Sequence, residues 1–425
     1  MKILQIANGD FFSTYGGGQV YVKNLVDEMI RQHLDVTVIS FVNKKSNFPV
    51  QKQEYKGIDL YEIYRKNPET IKHIIREISP DIIHIHAEKA LLSKISKGLN
   101  IPNVITAHHG GILCPAGTLM NCKDEICKVP VNYENCLPCV LRNTKTGSFF
   151  YPLLKRIPVK NRLKIGKLLY KIPFIYFVTP LGISTLQIKN KKEQWDAIVQ
   201  NAGTMIAPSG AIAQNMILNA FPKEKIQVIP HGIPNFLEPT NQVCHDNKPV
   251  KFFYVGRICY VKGIHLLLDA FAQLNPSQSE LHLIGDTEGE YQQKLINKYK
   301  KNNNVFFHGK VQPEEVAKQI RNLDVLVHPA IYLEVFGLNI AEALLEGKPV
   351  IATRCGGAEM QIDDKENGLL IEPNSIEELK NAMQWMIDCP AERQRIAKNA
   401  AEKVVSMGSH VKNIVNLYQN KYTLA

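Results

Sequence analysis

Two glutamates eight residues apart, in Glu334-Val-Phe-Gly-Leu-Asn-Ile-Ala-Glu342, frame the start of a helix. Gly337 lets the backbone approach a ligand closely. Residues 338–346 read as helical, with Gly347 at the C-terminal cap and Pro349 just beyond. The N–H groups that open such a helix have no partner inside it and suit an anion. One carboxylate precedes them and another lies in the opening turns. A phosphate on backbone donors, with acids gripping hydroxyls, describes a sugar nucleotide.

Other residues fit the same chemistry. Gly256-Arg257 ends a strand, and Lys262-Gly263 opens the next helix. Two cations at one helix start can hold a diphosphate without a metal ion; the alternative is two exposed cations capping a loop. Gly16-Gly17-Gly18 lies between the first strand and the first helix and allows a close backbone approach to phosphate, or is simply a strand–helix turn. His108, in Thr-Ala-His-His109-Gly-Gly, follows a strand and can donate to a sugar hydroxyl; a lone histidine is otherwise structural.

The elements that must position these groups alternate strand and helix. Residues 2–7, 35–41, 82–86, 104–107, 205–207 and 227–229 read as strands, with helices at 19–31, 70–78, 89–98 and from 211. A second series has strands at 252–255, 280–284, 305–307, 325–328 and 349–352, and helices at 263–274, 290–299, 314–322, 376–388 and 390–406. This predicts α/β architecture with two doubly wound parallel sheets. Ligands of such sheets bind beyond the strands' carboxyl ends. A polar stretch at 237–249, with prolines and no periodicity, reads as the linker.

The chain has 425 residues, 45% hydrophobic and 21% charged, enough for two cores. Residues 1–8 read as a buried strand rather than a secretory signal. The apolar run 172–188 is broken by Pro173, Pro180 and Gly182 and falls short of a membrane span. A cytoplasmic protein, or one peripheral on the inner face of the membrane, is expected.

In order along the chain, the Gly-rich loop, Gly256-Arg257, Lys262-Gly263, Glu334-Val-Phe-Gly-Leu with Glu342-Ala, and Cys355-Gly-Gly-Ala-Glu359 resemble glycosyltransferase family four, of the GT-B fold. Val228-Ile-Pro-His231-Gly-Ile also fits, although the family usually has Asn where His231 stands. The resemblance implies two Rossmann-like domains facing across a cleft. Residues 1–237 form the acceptor-side domain, completed by a C-terminal helix at 407–425, and residues 238–406 form the donor domain. It implies a retaining transferase with metal-independent catalysis. Arg257 and Lys262 would bind and stabilise the diphosphate, and Glu342 would hold the ribose. Glu334, with Phe336, Gly337, Leu338 and Asn339, would contact the donor sugar and distal phosphate. His108 would lie near the reacting carbon, Gly17, Gly18 and Gly256 beside the diphosphate, and Lys310-Val311 near the base.

Two departures stand out. Cys114, Cys122, Cys127, Cys136 and Cys139 cluster within 114–139. Cys136-x-x-Cys139 is half of a zinc motif; by resemblance, Cys114, Cys127, Cys136 and Cys139 would form a structural zinc site, the alternatives being packed thiols or a disulfide. The second departure is charge. The chain carries +11, and the acid-free window 135–192 alone holds twelve Lys and Arg, all of them in an insertion at 142–192 and interleaved with aromatic and aliphatic residues. Such a segment suits an anionic membrane surface, a solvated basic helix being the alternative. No nucleic-acid module is visible. The expected activity moves a sugar from a nucleotide sugar, UDP-linked before GDP-mannose, to a lipid-linked glycan in surface-polysaccharide synthesis. A soluble acceptor, or epimerisation of the nucleotide sugar, are the alternatives.

Overall fold

The computed structural model describes the chain except for Asp10 and residues 13–15, 43–47, 144, 173–178, 235–248, 312 and 423–425. Nearly all of the expected linker lies outside the described residues. The chain divides into two compact units, Met1–Ile229 with Gly408–Ala425, and Pro230–Met407.

The first unit is built on strands β1 (Lys2–Asn8), β2 (Asp35–Phe41), β3 (Val50–Tyr55), β4 (Ile58–Ile63), β5 (Ile82–Ile85), β6 (Asn103–Thr106), β7 (Thr204–Ala207) and β8 (Ile226–Val228). They form one sheet in the order β3-β4-β2-β1-β5-β6-β7-β8, parallel except for the β3–β4 pair. The second unit has β9 (Val250–Val255), β10 (Ser279–Ile284), β11 (Val305–Gly309), β12 (Val325–His328), β13 (Val350–Thr353) and β14 (Gly368–Ile371), all parallel in the order β11-β10-β9-β12-β13-β14. Strands β5, β6, β7, β12 and β13 are buried at every position, as β-branched runs covered on both faces must be. The strand order reverses beside β1 in one sheet and beside β9 in the other. Each reversal opens a crevice at the carboxyl ends, and the functional candidates follow β1, β5 and β6, or β9, β12 and β13.

Three elements depart from the sequence reading. The hairpin β3–β4 was not anticipated; its turn, Lys56-Gly57, has φ of 50° and 84°, the backbone of a two-residue hairpin loop. Strand β14 follows a turn through Lys365 that the sequence suggests only as surface loop. The basic insertion is helical, with helices Lys145–Leu154, Val159–Tyr170 and the 22-residue Pro180–Asn201, and it shares a small core of Leu137, Val140, Leu141, Leu181 and Ile188. Arg162, one of its cations, is buried rather than displayed, 5% exposed. No helix among the described residues is long and apolar enough to cross a membrane.

Gly263 makes the turn that delivers Lys262. Its φ is +71°, and a Cβ there would overlap the Pro329 carbonyl oxygen. Gly263→Ala is therefore expected to cost at least about 2 kcal/mol in urea denaturation; an unchanged midpoint would mean that the turn relaxes freely.

Candidate active site

In the second unit, Lys262 reaches Glu334. The Lys262 Nζ donates to Glu334 Oε2, and the Tyr332 hydroxyl donates to the same oxygen at 2.7 Å. His328 Nε2 lies 3.5 Å from it. The His328 tautomer follows from its other neighbour. Asn339 Nδ2 donates to Val255 O at 2.9 Å and to His328 Nδ1 at 3.2 Å, so Nδ1 accepts and Nε2 carries the proton toward Glu334. Two hydrogen bonds thus converge on Oε2, with His328 Nε2 nearby but outside hydrogen-bonding geometry, while Oε1 makes no hydrogen bond with the described residues.

The electrostatics follow from burial. The Lys262 and Glu334 side chains are 13% and 12% exposed. Burial opposes ionisation of Glu334, but the Lys262 ammonium and His328 outweigh it and hold the carboxyl well below its ordinary range. Burial likewise disfavours the Lys262 charge, and Glu334 overrides it, so the ammonium is held above its ordinary value. Burial pushes the Tyr332 phenol well up, with the Glu334 charge adding to it, which keeps it a donor.

Around this pair, the helix Leu338–Leu345 begins at Gly337, whose φ is 83°. Its first turn has no side-chain cap. Gln361 instead secures the turn from below, donating to Phe336 O at 2.5 Å. The Phe336 and Leu338 side chains pack with Ile233 and Ala341, which leaves their backbone to face a ligand. The Asn339 side chain is spent on Val255 and His328, so it positions the site and offers a ligand only its N–H. Glu342 is half-buried with no partner among the described residues, and burial raises its pKa. Arg257 and Gly256 are exposed just beyond β9, and Arg257 makes no ion pair among the described residues. Lys310-Val311 follow β11 at the edge of the sheet, two strands from β9.

In the first unit, Gly17 and Gly18 open the helix Gly17–Arg31, and a Cβ on Gly18 would stand 3.4 Å from the His108 Cβ. His108 Nε2 meets His86 Nδ1 at 2.8 Å, and His86 Nε2 meets Gln5 Oε1 at 2.9 Å. Gln5 Nε2 reaches the Tyr418 hydroxyl at 3.4 Å. That hydroxyl lies 2.7 Å from His84 Nδ1, whose Nε2 lies 2.7 Å from Thr106 Oγ1. The carbonyl Oε1 only accepts, so His86 donates through Nε2 and accepts through Nδ1, and His108 donates through Nε2. In the neutral ring, His108 Nδ1 is then an acceptor. Burial, with the His410 charge behind it, brings the His84 pKa down to about 3, so this chain runs through neutral imidazole. Sequence reasoning missed His328, Tyr332, His84, His86 and Tyr418; the one signal was their place at strand ends or, for Tyr418, on an apolar helix face.

All described cysteines are free thiols. Among the described residues, no three His, Cys, Asp or Glu side chains are grouped to hold a metal ion. Burial first, then neighbouring thiols, push Cys136 and Cys139 up to about 12, the protonated form, and Cys127 also upward.

Two doubly wound parallel-sheet units with these loops are the GT-B fold of glycosyltransferases. A family described as "Glycosyl transferases group 1" matches residues 239–403, and "Glycosyltransferase Family 4" matches residues 15–119. Together these span well over half of the sequence, and the chain belongs to this glycosyltransferase family. It is 28% identical over 275 residues to the uncharacterized glycosyltransferase MJ1069 of Methanocaldococcus jannaschii, covering 60% of this chain and 68% of that protein. It is 28% identical over 195 residues to the D-rhamnosyltransferase WbpZ of Pseudomonas aeruginosa, covering 42% of this chain and 48% of that one. Among solved structures, Anabaena HepE in complex with UDP superposes with a TM-score of 0.68 at 18% identity, over 99% of this chain and 100% of that one.

Removing one member of the Lys262–Glu334 pair leaves a buried charge alone. Glu334→Gln is expected to cost about 3–5 kcal/mol, and Lys262→Met added to it to restore much of the loss, read by urea denaturation. The pH dependence has a sign. The folded pKa of Glu334 lies below its ordinary 4.5, so its stabilisation is present above pH 4.5 and is lost as pH falls toward the folded value. Lys262 lies above its ordinary 10.5, so its share is present below pH 10.5 and is lost as pH rises through the folded value. Equal acid limbs in wild type and the double variant would remove the pair from the stability balance.

Proposed function

We propose that this glycosyltransferase is a retaining enzyme. It takes a sugar from a nucleotide sugar, UDP-linked first and GDP-mannose next, and transfers it to a hydroxyl of a lipid-linked glycan in surface-polysaccharide or lipopolysaccharide assembly. The observation that carries the reading is the asymmetry of Glu334. One oxygen is locked by the Lys262 and Tyr332 donors with His328 close by, and the other is left to accept from a sugar hydroxyl. The UDP bound to HepE and the rhamnosyl transfer named for WbpZ support the donor class.

In this reading, the bond from the anomeric carbon to the diphosphate oxygen breaks as charge builds on the leaving group. Arg257, Lys262 and the N–H groups at Leu338 and Asn339 stabilise that charge, and no metal ion is needed. The acceptor hydroxyl attacks from the departing face, and a leaving phosphate oxygen takes its proton. Neither glutamate acts as a covalent nucleophile. Glu342, half-buried and partnerless, receives the ribose hydroxyls. By the family resemblance, His108 borders the transferred sugar.

Membrane association rests on the insertion. Phe149 is 79% exposed, and Leu153 and Leu168 are each 63% exposed. Lys160, Lys164 and Lys167 are exposed on the helix Val159–Tyr170, and Lys155 is exposed just past the end of the helix Lys145–Leu154. Apolar and cationic side chains displayed together fit an anionic bilayer surface.

Arg257 gives the cleaner kinetic test, because it is exposed and its loss strands no buried partner. Arg257→Ala is expected to lower kcat by about 10²-fold with an unchanged Tm. An unchanged kcat would take it out of the mechanism. Glu342→Ala is expected to weaken UDP binding in a thermal-shift titration more than it lowers kcat. Neutralising Lys155, Lys160, Lys164 and Lys167 is expected to abolish flotation with anionic liposomes. Undiminished flotation would refute the membrane reading.

A further inference from the structure

Two half-buried lysines of the first unit make no ion pair with an acid among the described residues, although the Glu88 charge still acts on Lys89. Lys89 opens the helix Lys89–Gly98 just beyond β5, and its Nζ donates to the carbonyl of His86. Lys191, on the helix Pro180–Asn201, donates to Gly111 O at 2.7 Å and to Gln194 Oε1 at 3.3 Å. Neither makes an ion pair among the described residues. The nearest acid in sequence, Glu88, is taken by Lys66 at 2.6 Å. The neighbours of Lys191 show what is unusual. Lys189 pairs with Glu193 at 3.5 Å and Lys192 with Asp196 at 3.1 Å, each one helical turn on. Lys191 points inward instead, with the buried Trp195 at the same spacing.

The two carbonyls that anchor these ammonium groups belong to the residues around His108. His86 is hydrogen-bonded to His108, and Gly111 lies three residues beyond it. Both lysines therefore meet at the His108–Gly111 turn. Burial and the charge of Lys191 bring the Lys89 pKa down to about 8, and burial also lowers that of Lys191. Desolvation and mutual repulsion both work against two ammonium groups held like this. A bound dianion would reverse both penalties at once.

We propose that Lys89 and Lys191 form a phosphoryl-binding subsite of the first unit, which holds a phosphate group of the acceptor beside His108. This rests on the reading that His108 borders the transferred sugar. It adds that the acceptor is a phosphorylated one, whether the phosphate belongs to a lipid headgroup or to a soluble sugar phosphate. Two ammonium groups match the charge of a phosphate monoester, and the flanking backbone carbonyls keep each Nζ in place without neutralising it.

The test is calorimetric titration of the full chain with inorganic phosphate, in an Arg257→Ala background that weakens donor-side phosphate binding. Adding Lys191→Gln, and separately Lys89→Gln, is expected to weaken phosphate binding at least tenfold. UDP affinity of each lysine variant with Arg257 intact should match wild type, so loss of donor binding cannot mimic the result. Phosphate affinity unchanged by Lys191→Gln overturns the proposal, even if Lys89→Gln fails to fold. Competition then separates the sources. Displacement of phosphate by glucose 1-phosphate points to a soluble acceptor and displacement by phosphatidic acid vesicles to a lipid one. Displacement by neither overturns the subsite.

Discussion

A carboxylate that must stay ionised inside protein governs the donor unit. Glu334 is nearly buried, and an unpaired charge there would be prohibitive. Its ammonium partner must arrive from a different loop, which requires the left-handed turn at Gly263 against the Pro329 carbonyl. The Glu334 backbone is fixed as well. Its N–H donates to Cys355 O at 2.8 Å, and its carbonyl accepts from the Gly357 N–H at 3.0 Å. Loops after β9, β12 and β13 are thereby tied to one side chain. A site assembled this way loses little order when a ligand binds, because the ordering has already been done in folding.

The first unit solves the same problem without ions. Its core carries a run of imidazoles, an amide and a phenol that satisfy one another in a single direction, from His108 inward to Thr106. Neutral groups in low dielectric cost little once each donor has an acceptor. The direction of the run matters as much as its existence. Reversing any one proton would set two donors or two acceptors face to face.

The parallel sheets were legible because buried strands between amphipathic helices leave an unmistakable alternation. Glu334, Glu342, Arg257 and Lys262 were legible because strand ends and glycine turns mark where side chains emerge. The partners of these residues were not. His328 and Tyr332 look like ordinary members of a strand and a loop, and only the fold brings them to Glu334. The β3–β4 hairpin escaped notice because Val50-Gln-Lys-Gln-Glu-Tyr55 is a polar edge strand with a Lys-Gly turn in place of the usual Asn-Gly. Counting charge in the insertion could not tell that Arg162 turns inward while its neighbours face water.

The helix Met407–Tyr422 supplies His410, Val411, Ile414 and Tyr418 to the core of the first unit, all fully buried. Yet it is translated only after the whole of the second unit. The ribosome must make the whole of Pro230–Met407 before that seam can close, which at bacterial or eukaryotic elongation speeds is roughly ten to thirty-five seconds. For that interval the nascent first unit exposes the groove meant for Tyr418 and its apolar neighbours. Its maturation waits on synthesis of the second unit even though most of its sheet emerges early. Chaperone demand during synthesis is thus written into the order of the chain.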